Sequence, residues 1–431
     1  MRLLIIGAGP GGYETAVEAA KRGLEVTLIT EGPLGGTCLN EGCIPTKTFC
    51  HYAELIEQNL KAGLDCKPAF VAVAERKQAV VEQLRGGIDM QLKNVQVVRG
   101  KAQFKDAKTV VCNGQEYTAD KIIIATGSVS ASLPIPGAES CLTSKEILDL
   151  KEVPESICVI GGGVIGLEFA SILRSFGSEV TVLEYCPNIL PRFDVDLAKR
   201  LKQSLSKRGI NIEVQAQVTA INGGTVTYVK KEKEFTVQAS KVLMAVGRCP
   251  NVEGLNLEAA GIDYTRKGIT VNDRFETSVP GIYAVGDVTG GIMLAHAATY
   301  QGLHALNVIC GQNDSIRFDL IPAAVFTMPE VATVGLTEEQ CKEQELPVRC
   351  LKSFYRANGK AVSMDESDGY CKLIINEAGT ILGAHIMGAH ASDLIHEITA
   401  VMNLDGTLEQ MQPVIHAHPT LSEIVQSALH N

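Results

Sequence analysis

Twice in its 431 residues the chain repeats one pattern, an apolar run, a glycine turn, a helical stretch and a second apolar run. The first copy has Leu3 to Ile6, then Gly7-Ala8-Gly9-Pro10-Gly11-Gly12, a helical stretch from Tyr13 to Arg22, and Gly23 where a helix stops. Leu24 to Thr30 then reads as a strand ending at Glu31. The second copy has Ile157 to Ile160, Gly161-Gly162-Gly163-Val164-Ile165-Gly166, a helix from Leu167 to Phe176, and Glu179 to Leu183 ending at Glu184. A strand–turn–helix–strand unit of this length builds a parallel sheet, so two copies predict two Rossmann-like domains in an α/β protein.

Each turn has the spacing G-x-G-x-x-G, at Gly7, Gly9 and Gly12 and again at Gly161, Gly163 and Gly166. Such glycines permit a tight turn and let backbone N–H groups approach a pyrophosphate at a helix N-terminus. Alone the spacing is a weak signal; the flanking strand and helix strengthen it. Glu31 lies 19 residues beyond Gly12 and Glu184 lies 18 beyond Gly166, where a carboxylate takes a ribose hydroxyl pair. An acid there repels a 2′-phosphate, so Glu184 favours NAD over NADP. Two dinucleotide sites in one chain imply electron transfer between two cofactors.

Further strands are expected at Lys121 to Ala125, running into Thr126-Gly127-Ser128, at Lys241 to Val246, running into Gly247-Arg248, and at Ile282 to Val285, before Gly286-Asp287. Ala69 to Lys93 is helical by pattern. Beyond about Leu320, strand-like runs at Tyr370 to Ile375 and Thr380 to Met387 precede a helical Asp393 to Met402, which predicts a separate α+β domain. The expected boundaries are 1–143, 144–272, a return to the first domain over 273–318, and a last domain at 319–431. With 49 acidic and 39 basic residues, no nucleic-acid surface is expected. No apolar run approaches the roughly 20 residues of a membrane helix. The opening run reads as a first strand with no targeting extension, and thirteen cysteines then point to a reducing, cytoplasmic setting.

The sharpest feature is Gly35-Gly36-Thr37-Cys38-Leu39-Asn40-Glu41-Gly42-Cys43-Ile44-Pro45-Thr46-Lys47. A C-x4-C pair lacks the further ligands a zinc site needs, and no second cysteine cluster supplies them, so no metal is expected. A disulfide requires the helix start to distort around residues 40 to 42. Two small core residues are the bland alternative, which suits the other eleven cysteines better.

The run GGTCLNEGCIPTK resembles the active-site disulfide of the pyridine nucleotide-disulfide oxidoreductases. GAGPGG, ATGS, GGGVIGLEFA, VGRCPN, GIYAVGDVT, TMPEVATVGLTE and IHAHPTLSE follow in that family's order across essentially the whole chain. CIPTK with HPTLSE is most similar to the lipoyl-oxidising branch. The resemblance implies FAD on the first domain, NAD on the second and a C-terminal dimerisation domain. It makes Cys38 the interchange thiol and Cys43 the thiolate beside the flavin. Lys47 would approach the flavin N5 region and Glu168 would pair with it near the nicotinamide. Asp287 would bind the FAD ribityl chain, with Thr126 and Gly127 also on the FAD side and Gly247 on the NAD side. His418 with Glu423 would form the acid–base dyad, reaching the disulfide of a second subunit in an obligate homodimer. His416 would support it, while His51, His304 and His385 are read as structural.

The partners so implied are lipoyl-bearing proteins: the acyltransferase of a 2-oxo-acid dehydrogenase complex or a glycine-cleavage carrier. Reduction of another disulfide with NADH, or mainly a docking role, are the alternatives. Two departures stand out. Glu41 lies where the family more often has an apolar or basic residue, and a carboxylate there would disfavour a neighbouring thiolate. Thr46 replaces the more usual Ser and keeps the hydroxyl.

Overall fold

A computed structural model describes all 431 residues, which fall into two compact units. The first holds 1–48, 74–131 and 247–316; the second holds 49–73, 132–246 and 317–431.

In the first unit β1 (Arg2–Ile6) lies parallel to β2 (Glu25–Thr30) on one side and to the strand Lys121–Ile124 on the other. Gln96–Arg99 and Ile282–Ala284 complete a five-stranded parallel sheet. Side chains of β1 alternate between two cores, as a strand covered on both faces requires. Leu3 and Ile5 pack with Ala16 and Ala19 of α1 (Pro10–Lys21) and Leu306 of the helix Ala295–Ile309. Leu4 and Ile6 pack on the other face with Phe104, Val110 and Cys112 of an antiparallel meander over residues 102–118. No strand was expected in that meander; its runs of four or five residues are too short for a clear period.

The second unit repeats the glycine-turn architecture on a four-stranded parallel sheet, ordered Ile210–Val214, Glu179–Glu184, Ser156–Ile160 and Lys241–Met244. Its helix α5 (Val164–Phe176) is buried along nearly its whole length. Here too an antiparallel meander, over residues 217–238, was not foreseen. Residues 323–387 supply a five-stranded antiparallel sheet, with Ala391–Asn403 and Glu423–Leu429 packed in its core. That is the expected α+β segment.

The expected boundaries shift for packing reasons. Leu133, Ile135, Ala138 and Cys141 join the core of the second unit, so the first crossing falls after Ala131, not at 143. The return comes at Gly247 rather than 273, because Arg248–Pro250 pairs with Ser128–Ser130 and Leu255, Leu257 and Ile262 pack beneath the first sheet. Residues 49–73 belong to the second unit, where Phe49 and Phe70 meet Phe176 at 6.5 and 5.3 Å between ring centroids.

A buried charge cluster ties the second unit's two halves together. Asp194 caps α6 (Val195–Lys207) by accepting from Leu197 N–H at 3.2 Å. Lys372, on the antiparallel sheet and fully buried, donates to Asp194 Oδ2 and Glu338 Oε2, each at 2.7 Å. Hydrogen bonds from Lys342 and then Lys372 hold the Glu338 carboxyl down at about 2. A depressed carboxyl contributes stability that is complete above its unfolded value near 4.5 and is lost as pH falls towards about 2. Lys372→Met leaves Asp194 buried without its cation, which costs roughly 3–5 kcal/mol. Chemical denaturation at neutral pH should show that loss, and below about pH 4 the gap from the parent should narrow; equal stability at neutral pH would contradict the cluster's role.

Candidate active site

The redox candidates stand on two helices separated by one residue. α2 (Gly36–Glu41) carries Cys38 and α3 (Cys43–Lys61) opens with Cys43. Between them Gly42 leaves helical geometry, at φ −146° and ψ −115°. A Cβ on Gly42 would stand 2.9 Å from Thr37 O and 3.4 Å from Cys38 Cα, so only glycine lets the two helix ends approach this closely. Thr46 secures the break by donating its hydroxyl to Gly42 O at 2.7 Å. The conserved chemistry of the Ser-to-Thr departure is thus a backbone cap.

Cys38 and Cys43 lie within hydrogen-bonding reach of each other across the break. That bond to Cys43, together with burial, pushes the Cys38 thiol far up, while the Lys47 ammonium pulls it down. Lys47 lies one turn along α3 from Cys43. Glu41 is half-buried beside the break. Tyr13, a residue the sequence did not single out, lies near Cys38, and its hydroxyl donates to Glu14 Oε1 at 3.0 Å. Burial first, then Glu14, drives the Tyr13 phenol upward.

The glycine turns fit dinucleotides on their own geometry. In the first, a Cβ on Gly7 would strike Ala125 O and one on Gly12 would strike Gly7 O, whereas Gly9 faces open space. In the second, Gly161 is closed by Ala245 O and Gly166 by Gly161 O, and Gly163 is open. α1 and α5 begin just after the open glycines with no side chain capping them; Pro10 opens α1 without an N–H, so Gly11 supplies the first donor there. An open second glycine before an uncapped helix is what a pyrophosphate needs.

Glu184 is buried, and its two oxygens accept from Gly162 N–H at 2.5 Å and Cys186 N–H at 2.6 Å. The backbone therefore fixes this carboxylate against the second glycine turn, with lone pairs remaining for a ribose. Glu31 is exposed one residue past β2, which ends at Thr30.

Asp287 accepts from Ser128 Oγ at 2.5 Å, and Ser128 Oγ in turn accepts from Arg248 Nε at 2.7 Å. Ser128 and Arg248 were missed although they adjoin Gly127 and Gly247 in the ATGS and VGRCPN runs; the glycines drew the attention. Thr126 and Gly127 grip Asn251 instead of standing free. Thr126 Oγ1 donates to Asn251 O at 2.7 Å, and Asn251 N–H to Gly127 O at 2.9 Å. Gly247 is the first residue of its segment in the first unit, and its carbonyl accepts from Ala131 N–H.

In the second unit Glu168 is buried on α5, with Oε1 accepting from Phe326 N–H at 3.0 Å. The dyad also lies there. His418 Nδ1 is 2.9 Å from Glu423 Oε1, and Thr420 N–H donates to Glu423 Oε2 at 2.8 Å. The Thr420 N–H and then His418 hold the Glu423 carboxyl below its usual range. An ionised Glu423 accepts a hydrogen bond from Nδ1–H, which leaves Nε2 as the basic nitrogen. The His418 side chain is 78% exposed, beside Ile415 at 92%. Other histidines have structural partners: His385 is buried between Thr333 Oγ1 and Leu336 O, His304 meets Asp314, and His416 meets Glu397 at 2.8 Å.

Two glycine-turn nucleotide folds, a thiol pair at one of them and a His–Glu dyad define a nucleotide-dependent disulfide oxidoreductase. Residues 1–302 match the family model for pyridine nucleotide-disulphide oxidoreductases, and 321–429 match the model for that family's dimerisation domain. The chain belongs to this family. Its cofactors are FAD and NAD. A dihydrolipoyl dehydrogenase of Bacillus subtilis (strain 168) is 42% identical over 446 residues, covering 99% of this chain and 95% of the relative. One from Geobacillus stearothermophilus is 41% identical, covering 99% and 94%. Among solved structures, the HOCl-induced flavoprotein disulfide reductase RclA of Escherichia coli is 31% identical with a TM-score of 0.89, covering 100% and 98%. No helix is long and apolar enough to cross a membrane.

His418→Gln should slow thiol–disulfide turnover by about 10²–10⁴-fold, the usual worth of a positioned base. Glu423→Gln, which can accept only one of the two hydrogen bonds, should lose less. Steady-state rates beside NADH oxidation by ferricyanide, which draws on the flavin, decide this: equal loss in both assays would contradict a thiol-specific dyad.

Proposed function

We propose that the protein is a dihydrolipoyl dehydrogenase, oxidising protein-bound dihydrolipoyl groups with NAD⁺ through the Cys38–Cys43 pair. The observation that carries this reading is the thiol pair itself, in contact across the Gly42 break. The two dihydrolipoyl dehydrogenases above 40% identity over nearly the full chain support the substrate.

In the oxidised enzyme Cys38 and Cys43 are joined. A dihydrolipoyl thiolate attacks Cys38 Sγ, the S–S bond breaks, and Cys43 leaves as a thiolate. His418 Nε2 takes the substrate proton. The second substrate thiol then attacks the mixed disulfide, which frees Cys38 and releases the lipoyl disulfide. Two electrons now reside on the cysteines, and Lys47 stabilises negative charge beside them. The first glycine turn, Glu31 and Asp287 would hold FAD, which would supply the hydride chemistry by which these two electrons reach NAD⁺ as NADH and H⁺. Glu184 and the second turn hold the NAD adenosine half, and Glu168 on α5 serves the nicotinamide side.

The exposed His418 and Ile415 support a homodimer in which His418 of each subunit serves the other's cysteines. The partners are lipoyl-bearing proteins of a 2-oxo-acid dehydrogenase complex or of glycine cleavage, met in the cytoplasm. A second reading, NADH-driven reduction of another disulfide, is favoured by the likeness to RclA.

The test is NADH formation from dihydrolipoamide by the FAD-loaded enzyme, with NADP and glutathione disulfide in parallel assays. Turnover with NAD and little with NADP is expected. Failure with dihydrolipoamide while NADH still reduces the flavin would overturn the substrate and leave the second reading. NADP used as well as NAD would overturn the role of Glu184.

A further inference from the structure

Between the two cysteines, Asn40 has its whole side-chain amide committed. Nδ2 donates to Leu34 O at 2.9 Å and to Gly36 O at 2.8 Å. Oδ1 accepts a fork from Arg85, with Nε at 3.1 Å and Nη2 at 2.6 Å. A guanidinium only donates and a carbonyl only accepts, so this arrangement admits one orientation of the amide. Arg85 comes from α4 (Phe70–Gln91), remote in sequence from the redox turn, and both side chains are half-buried.

The two stapled carbonyls lie at the entry to α2, where Gly35 and Gly36 have φ of +89° and +56°. A Cβ on Gly36 would stand 2.6 Å from Gly9 Cα, so this entry rests on the first nucleotide turn. The amide thus joins three things: the nucleotide turn's neighbour, the helix end carrying Cys38, and a cation fixed on another helix.

We propose that Arg85 is a positioning residue of the Cys38–Cys43 couple, acting through Asn40. The inference rests on the reading of that couple as redox-active. Its fork orients the amide, the amide staples the start of α2, and the staples hold Cys38 within reach of Cys43. A dithiol held in place loses less freedom on closing to a disulfide. Without the fork the dithiol loosens, and closure becomes less favourable.

The holoenzyme is equilibrated anaerobically across a series of dithiothreitol redox buffers, and Cys38 and Cys43 are labelled and counted by mass spectrometry. In Arg85→Met the constant for disulfide closure should fall about tenfold, raising the potential by about 30 mV for this two-electron couple. NADH–ferricyanide turnover should stay at the parent rate. Asn40→Asp keeps the acceptor for Arg85 and removes the Nδ2 donors, so it should give the same shift. The double variant should shift no further than either single one. Parent-like closure in Arg85→Met, or in Asn40→Asp should the first fail to fold, overturns the proposal, as do additive shifts. A parent enzyme whose Cys38 and Cys43 never pair in any buffer overturns the redox reading itself.

Discussion

One missing side chain governs the site. At Gly42 the chain leaves helical geometry with Thr37 O and Cys38 Cα pressed against the position a Cβ would take. Five residues along a continuous helix separate side chains by more than a turn, too far for two sulfurs to meet. The break brings Cys43 back to Cys38, and Thr46 caps the freed carbonyl. Hydrogen bonding between the thiols, with burial, then raises Cys38, and the Lys47 ammonium opposes it. Opposed influences on one thiol suit a couple that must both open and close.

Around that break the fold supplies fixed geometry. The first glycine turn borders the entry to α2, where Gly36 stands too close to Gly9 Cα for a Cβ, so the nucleotide turn and the cysteine helix rest on one contact. The second unit repeats the nucleotide fold, with Glu184 held against its turn by two N–H groups. Its C-terminal sheet is fastened to α6 by Lys372, Asp194 and Glu338, and His418 stands exposed in the segment before Glu423–Leu429. Burying a lysine between two carboxylates stabilises only while all three partners are present.

What the sequence revealed and what it hid follow from how far each feature depends on neighbours. Glycine turns, long apolar strands and the cysteine pair are local, so both nucleotide folds and the thiol contact were legible. The meanders over 102–118 and 217–238 were not, because strands of four to six residues with mixed exposure carry no period. Domain crossings were misplaced where short segments choose sides by long-range packing, as Arg248–Pro250 does against Ser128–Ser130. The same distance hid Ser128 and Arg248 behind Asp287, and Arg85 behind Asn40. The assignment of His418 came through the motif HPTLSE, while the geometry of its carboxylate partner needed the folded chain.

Of the thirteen cysteines, Cys38 and Cys43 alone are expected to change state when the enzyme takes up two electrons. Differential alkylation of the air-oxidised holoenzyme, before and after one equivalent of anaerobic NADH, measures this directly. Cys38 and Cys43 should become newly labelled together, with the other eleven unchanged. If both are already labelled before NADH, or if a different pair opens, Cys38 and Cys43 are not the redox couple.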